Sequence, residues 1–120
     1  MDIQTIKKRR YFLKANNAPY AAIRSVVVQS YVRTDEVVET DGSVMMGITC
    51  SKKVGNAVKR NRAKRRLREA GKIVLREIGI KKTNYIFIAR KDTTIKVKFT
   101  DLCNDIESGI KRIYGLEKGK

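Results

Sequence analysis

The stretch SKKVGNAVKRNRAKRRLREAGKIVLREIG, Ser51 to Gly79, decides how the rest of the chain is read. Within it Ala63, Leu67, Ala70, Val74 and Ile78 recur at spacings of three and four, which draws one apolar stripe along a helix. Arg62, Lys64, Arg65, Arg68, Lys72 and Arg76 fall off the stripe and cover the far side. Asn56 is a candidate N-cap after Gly55, and Gly79 marks the exit. Gly71, inside the helix, costs about 1 kcal/mol against Ala and weakens the second half of the prediction. From Lys52 to Arg76 there are eleven basic residues opposed only by Glu69. Like charges stacked on one helix face repel, by a few tenths of a kcal/mol per pair at spacing four, unless something anionic compensates. Phosphates do so, with counterion release as the driving term.

The helix has alternating or apolar segments on both sides. Val44 to Ser51 places Val44, Met46, Ile48 and Cys50 on one face and Met45, Gly47, Thr49 and Ser51 on the other, so one face is core and the other can meet a ligand. Asn84 to Arg90 is nearly all apolar, which predicts a central strand. Ala21 to Arg33 is rich in Val, Ile and Tyr and predicts one long strand. Thr34 to Ser43 carries Asp35, Glu36, Glu39 and Asp41 and finishes in Asp-Gly, which suits a hairpin connection; its carboxylates read as a solvated turn that repels polyanions. Near the start, Lys7, Lys8, Arg9, Arg10 and Lys14 surround Tyr11, Phe12 and Leu13 in a short helix stopped by Asn16, Asn17 and Pro19. Phe12 is either a staple into the core or an aromatic surface for bases. The last helix carries Phe99, Leu102, Cys103, Ile106, Ile110 and Ile113 on one side and stops near Gly115.

Composition bounds the function. The 120 residues fit one domain, 1–120, with ends at about 1–5 and 116–120 expected to fray. Lys and Arg number 28 against 12 Asp and Glu, a formal charge of +16, so nucleic acid is the default partner. There is no run of about 18 apolar residues and no signal-peptide pattern, and a cytoplasmic protein is expected. With no His in the chain, a nuclease of the paired-His kind is excluded by inventory. Cys50 and Cys103 read as small buried thiols, with neither a zinc site nor a disulfide expected. On chemistry alone, the Arg60, Asn61, Arg62 segment could bind DNA or RNA equally well.

SKKVGNAVKRNRAKRRLREA, Ser51 to Ala70, resembles the signature of the bacterial ribonuclease P protein component, a family with Arg-Asn-Arg in a helix just after a Lys-Lys-x-Gly-Asn-Ala turn. The resemblance spans nearly the whole chain, beginning with Lys7, Lys8 and Phe12. It implies an α+β domain of order αβββαβα, a four-stranded sheet packed with three helices. The basic helix would join two parallel strands by a left-handed crossover, where general rules favour a right-handed one. It further implies that Lys52, Lys53, Asn56, Arg60, Asn61, Arg62, Lys64, Arg65, Arg66 and Arg68 face a catalytic RNA. A cleft between the first helix and the sheet would take the single-stranded 5′ leader of precursor tRNA, with Phe12, and then Arg24, Val26, Thr49 and Ser51, as its candidates.

By the same resemblance the reaction is hydrolysis of one phosphodiester bond to give mature tRNA 5′ ends. The RNA subunit would hold the catalytic Mg2+, this chain would supply no catalytic or metal-ligating residue, and the partners would be that RNA and precursor tRNA, with no DNA or membrane. Asn16 departs from the family, many of whose members place a second aromatic there, so a smaller stacking platform is expected. The rival readings are a basic ribosomal protein, a helix-turn-helix DNA regulator and a protein-only ribonuclease. The first predicts co-sedimentation with ribosomal subunits and the third cleavage without RNA, while the second meets only one basic helix whose neighbouring elements read as strands.

Overall fold

The fold is built on β5, Thr83–Ala89, whose residues are buried except for half-buried Ile88. A strand that is apolar on both faces is stable only when both faces are covered and both edges paired, and β5 has all four. In the computed structural model, which describes residues 3–33 and 43–118, β5 pairs in parallel with β4, Val44–Thr49, and antiparallel with β3, Val26–Val32. Two short strands finish the sheet: β1, Ile3–Thr5, runs parallel to β4, and β2, Tyr20–Ala22, runs antiparallel to β3, giving the order β1-β4-β5-β3-β2.

Three sequence expectations change here. Ala21 to Arg33 is two strands, because the chain turns at Arg24 and Ser25: Ile23 N–H donates to the Val26 carbonyl at 2.9 Å, and the Ser25 hydroxyl donates to Asp105 at 2.6 Å. Strand propensity cannot see a turn fixed by a carboxylate 80 residues away. β3 and β4 are not a hairpin pair, since β5 lies between them; the acidic connection itself, 34–42, falls outside the described residues. Residues 3–5 are strand rather than frayed end, anchored where Ile6 N–H donates to the Met46 carbonyl at 2.8 Å. The sheet therefore has five strands, the implied four plus β1.

The long basic helix, α2, runs Ala57–Ile78 and links the adjacent parallel strands β4 and β5. Its predicted stripe is buried at Ala63, Leu67, Ala70 and Val74 and half-buried at Ile78. The terminal helix, Phe99–Lys118, buries Leu102, Ile106, Ile110 and Ile113 beside it, so both helices cover one face of the sheet. This helix continues past Gly115, which is exposed and meets nothing, so its lack of a side chain costs propensity without ending the helix. A single turn, Thr93–Lys96, precedes it as α3, making the terminal helix α4. Gly71 has a packing reason: a Cβ there would lie 2.6 Å from Phe87 Cε2 and 2.7 Å from Met46 Sδ. The glycine lets α2 lie directly on the sheet.

Among the described residues the opposite face carries only α1, Arg9–Lys14, and a 3-10 turn over Ala15–Asn17. Tyr11 and Ala15 are buried there with Ile6, Met45 and Ile86 in a second, smaller core.

Candidate RNA interface

Two surfaces emerge from this architecture, one on α2 and one beneath α1. The first begins at a 3-10 turn, Lys52–Val54, followed by Gly55 at φ +146°, a backbone position that disfavours any side chain. Asn56 then caps α2, its side-chain oxygen accepting from Lys59 N–H at 2.9 Å, as the sequence predicts. Lys52, Lys53, Asn56, Asn61, Arg62, Arg65 and Arg68 are exposed around the first half of the helix, while Arg60 and Lys64 are half-buried. Among the described residues Arg60 Nε is a buried donor with no hydrogen-bond partner within the protein.

Arg66 is different in kind. Its Nε donates to the Thr94 carbonyl at 3.0 Å and its Nη2 donates to the Val97 carbonyl, so the guanidinium ties α2 to the turn of α3. The family signature could not separate this arginine from its neighbours, because the acceptors are backbone atoms about 30 residues downstream.

The second surface is a cleft of about 640 Å³ between α1 and the sheet. Its walls are Lys7, Arg9, Phe12, Leu13 and Asn16, and its floor includes Gln29, Thr49, Ile86 and Ile88, with Cys50 and Lys64 at one end. Phe12 is half-buried against the small core while one side lines the cleft. Thr49 is also where the sequence places it. Val26 is not: it is fully buried on the α4 side of the sheet, since β3 alternates Val26, Val28 and Ser30 inward with Val27, Gln29 and Tyr31 toward α1. The strand is out of phase by one residue with the expected assignment, and Gln29 is the β3 residue that reaches the cleft. Arg24 sits in the β2–β3 turn, 3.8 Å from Asp101 on α4, away from the cleft. Ser51 is exposed beyond β4 and begins the 3-10 turn rather than lining the cleft.

Polar contacts hold α1 above this floor. Tyr31 hydroxyl donates to the Tyr11 carbonyl at 2.7 Å, and Gln29 Nε2 donates to the Ala15 carbonyl at 3.0 Å. Beneath them Asn84, fully buried, donates from Nδ2 to the Tyr31 hydroxyl at 2.9 Å and accepts from Arg33 Nη1 at 2.5 Å. Burial pushes the Cys50 thiol up from its ordinary value, against the pull of Lys64 and Arg60, so Cys50 is a neutral lining atom at neutral pH. Cys50 and Cys103 are both free and half-buried.

Comparison with known proteins agrees with the fold. The family model described as Ribonuclease P matches residues 2–114. The ribonuclease P protein component of Ruegeria pomeroyi is 41% identical over 112 residues, covering 93% of this chain and 87% of that protein. That of Caulobacter vibrioides is 38% identical over 110 residues, covering 92% and 70%. Among solved structures, the Staphylococcus aureus RNase P protein superposes with a TM-score of 0.69 at 29% identity, covering 90% of this chain and 93% of that one. With its signature helix, its sheet order and this match along most of its length, the chain belongs to the ribonuclease P protein component family.

Proposed function

We propose that the exposed α2 face binds the catalytic RNA of ribonuclease P and that the cleft beneath α1 receives the 5′ leader of precursor tRNA. The observation that carries this reading is Lys64. It stands on the basic helix among Arg60, Arg62, Arg65 and Arg68, and it also lines the cleft that holds Phe12. A polyanion on α2 and a single strand in the cleft would therefore share one positive boundary. Lys7 and Arg9 supply charge along the α1 wall, while Phe12 offers a face for a base and Ile86 and Ile88 an apolar floor. A phosphate oxygen near α2 would give Arg60 Nε the acceptor that the protein does not.

In this account the protein does no bond chemistry. Hydrolysis of the phosphodiester bond occurs on the RNA subunit, which holds the catalytic Mg2+. Among the described residues no group of three or more His, Cys, Asp or Glu is placed to hold a metal ion. Its contribution is electrostatic and positional: it lowers repulsion between two polyanions, reducing the magnesium needed, and gives precursor a contact that mature tRNA lacks.

The test is 5′ cleavage of a precursor tRNA at low Mg2+ by a bacterial ribonuclease P RNA, with and without the protein. Strong stimulation by the native protein, abolished by Arg60→Ala and Arg62→Ala together, is the expected result. Folded protein that binds the RNA without stimulating cleavage would contradict the proposal.

A further inference from the structure

The sheet face that floors the cleft continues beyond it. Residues paired across neighbouring strands point to the same side, and the register joins Gly47 to Ile86, Ile86 to Gln29 and Gln29 to Tyr20. One row thus crosses four strands, from Gly47 beneath the Phe12 ring to the edge of the sheet. At about 4.8 Å per strand its two ends are about 14 Å apart. The adjoining row, Thr49, Ile88, Val27 and Ala22, runs alongside it with small or half-buried side chains toward the same edge.

Tyr20 closes the first row with 60% of its surface exposed, and it alone among the eight aromatic residues of the chain is exposed rather than buried or half-buried. Exposing an aromatic ring forgoes the stabilisation that its burial would give, so its packing in the fold does not account for it. Inside the cleft, the wall position one turn after Phe12 is Asn16, so only one ring is available there for stacking. On the same sheet face Tyr31 is half-buried, its hydroxyl donating to the Tyr11 carbonyl of α1, and the exposed aromatic is Tyr20.

We infer that Tyr20 is a second base-stacking residue, engaging the part of a single-stranded leader farthest from the catalytic RNA. This rests on the cleft reading above. The polarity follows from Lys64, Thr49 and Cys50, which place the α2 end of the cleft next to the basic helix; a strand entering there passes Phe12 first and reaches the β2 edge last. The cations Lys7, Arg9 and Lys64 along the route, on a chain of net charge +16, favour a polyanion over a protein strand pairing with that edge.

The experiment measures affinity of the reconstituted holoenzyme for precursor tRNAs whose leaders grow one nucleotide at a time, using the native protein, Tyr20→Ala, Tyr20→Phe and Phe12→Ala. With native protein, affinity should rise in two steps as the leader lengthens. Tyr20→Ala should remove the later step, about tenfold in affinity, and Tyr20→Phe should keep it, because stacking needs the ring and not the hydroxyl. If Tyr20→Ala retains both steps while Phe12→Ala loses the first, Tyr20 is not a leader contact and the cleft stands. A Tyr20→Ala variant that retains both steps but alters self-association would assign the edge to protein pairing and overturn the inference. No dependence on leader length with native protein would remove the cleft reading and this inference with it.

Discussion

Phe12 rests on Gly47 with no room between them: a Cβ added to Gly47 would lie 2.7 Å from Phe12 Cε1 and 2.8 Å from Cζ. The ring can sit low over the sheet only because β4 presents a bare backbone at that point. This close approach couples the smallest residue of the strand to the aromatic wall of the cleft.

Gly47→Ala should therefore act on function more than on stability. Phe12 is half-buried and can swing outward, so the overpacking cost should be about 1 kcal/mol, the low end for inserted methyl groups. The displaced ring should lower the preference for precursor over mature tRNA severalfold. Urea denaturation and paired binding titrations measure the two effects, and an unchanged preference would contradict the placement of Phe12.

Gly71→Ala should go against helix propensity. Alanine in a helix interior normally gains about 1 kcal/mol over glycine. Here the new Cβ meets Phe87, fully buried, and Met46, 1% exposed, and overpacking of this kind costs about 1–3 kcal/mol. The midpoint of urea unfolding should fall; a rise would show that α2 has room to lift from the sheet.

Asn84→Ala should loosen the cleft from below. The substitution removes an acceptor from buried Arg33 and the donor to Tyr31, whose hydroxyl holds the α1 backbone at Tyr11. Losing buried hydrogen bonds of which one partner is charged costs about 2–3 kcal/mol. Thermal melting should register that loss, and amide exchange should speed up in α1. Unchanged exchange in α1 would show that the helix is held by the small core alone.

Arg62 and Arg66, one turn apart on α2, should separate cleanly. Arg62 is exposed, so Arg62→Ala should leave the melting temperature almost unchanged while weakening binding to ribonuclease P RNA. The slope of log affinity against log salt should fall by roughly 0.7–0.9 for each phosphate that the variant no longer neutralises. Arg66→Ala should lower the melting temperature, because the Thr94 and Val97 carbonyls would be left without their donor. Equal effects of both variants on salt slope and none on stability would reverse the assignment of Arg66.

Much of this is legible in the residues themselves. The stripe Ala63, Leu67, Ala70 and Val74 orients α2, the Asn56 cap marks its start, and the apolar run of β5 marks the centre of the sheet, because each depends on local pattern. What the residues hide depends on partners distant in the chain. The break at Ser25 depends on Asp105, the tie of Arg66 on Thr94 and Val97, and the separation of β3 from β4 on the insertion of β5 between them. Val26 escapes sequence reasoning for a subtler reason. A run of valines carries no alternation of its own, so only the register Gln29 to Ile86 reveals which side faces α1.

Whether this protein gives precursor tRNA a contact that mature tRNA lacks is tested most directly by equilibrium binding of both to ribonuclease P RNA alone and to the reconstituted holoenzyme at one fixed Mg2+ concentration. The protein should tighten precursor binding well beyond its effect on mature tRNA, and Phe12→Ala should reduce this difference. If the protein tightened both equally, the cleft beneath α1 would not be a leader site and the role of the chain would reduce to the basic face of α2.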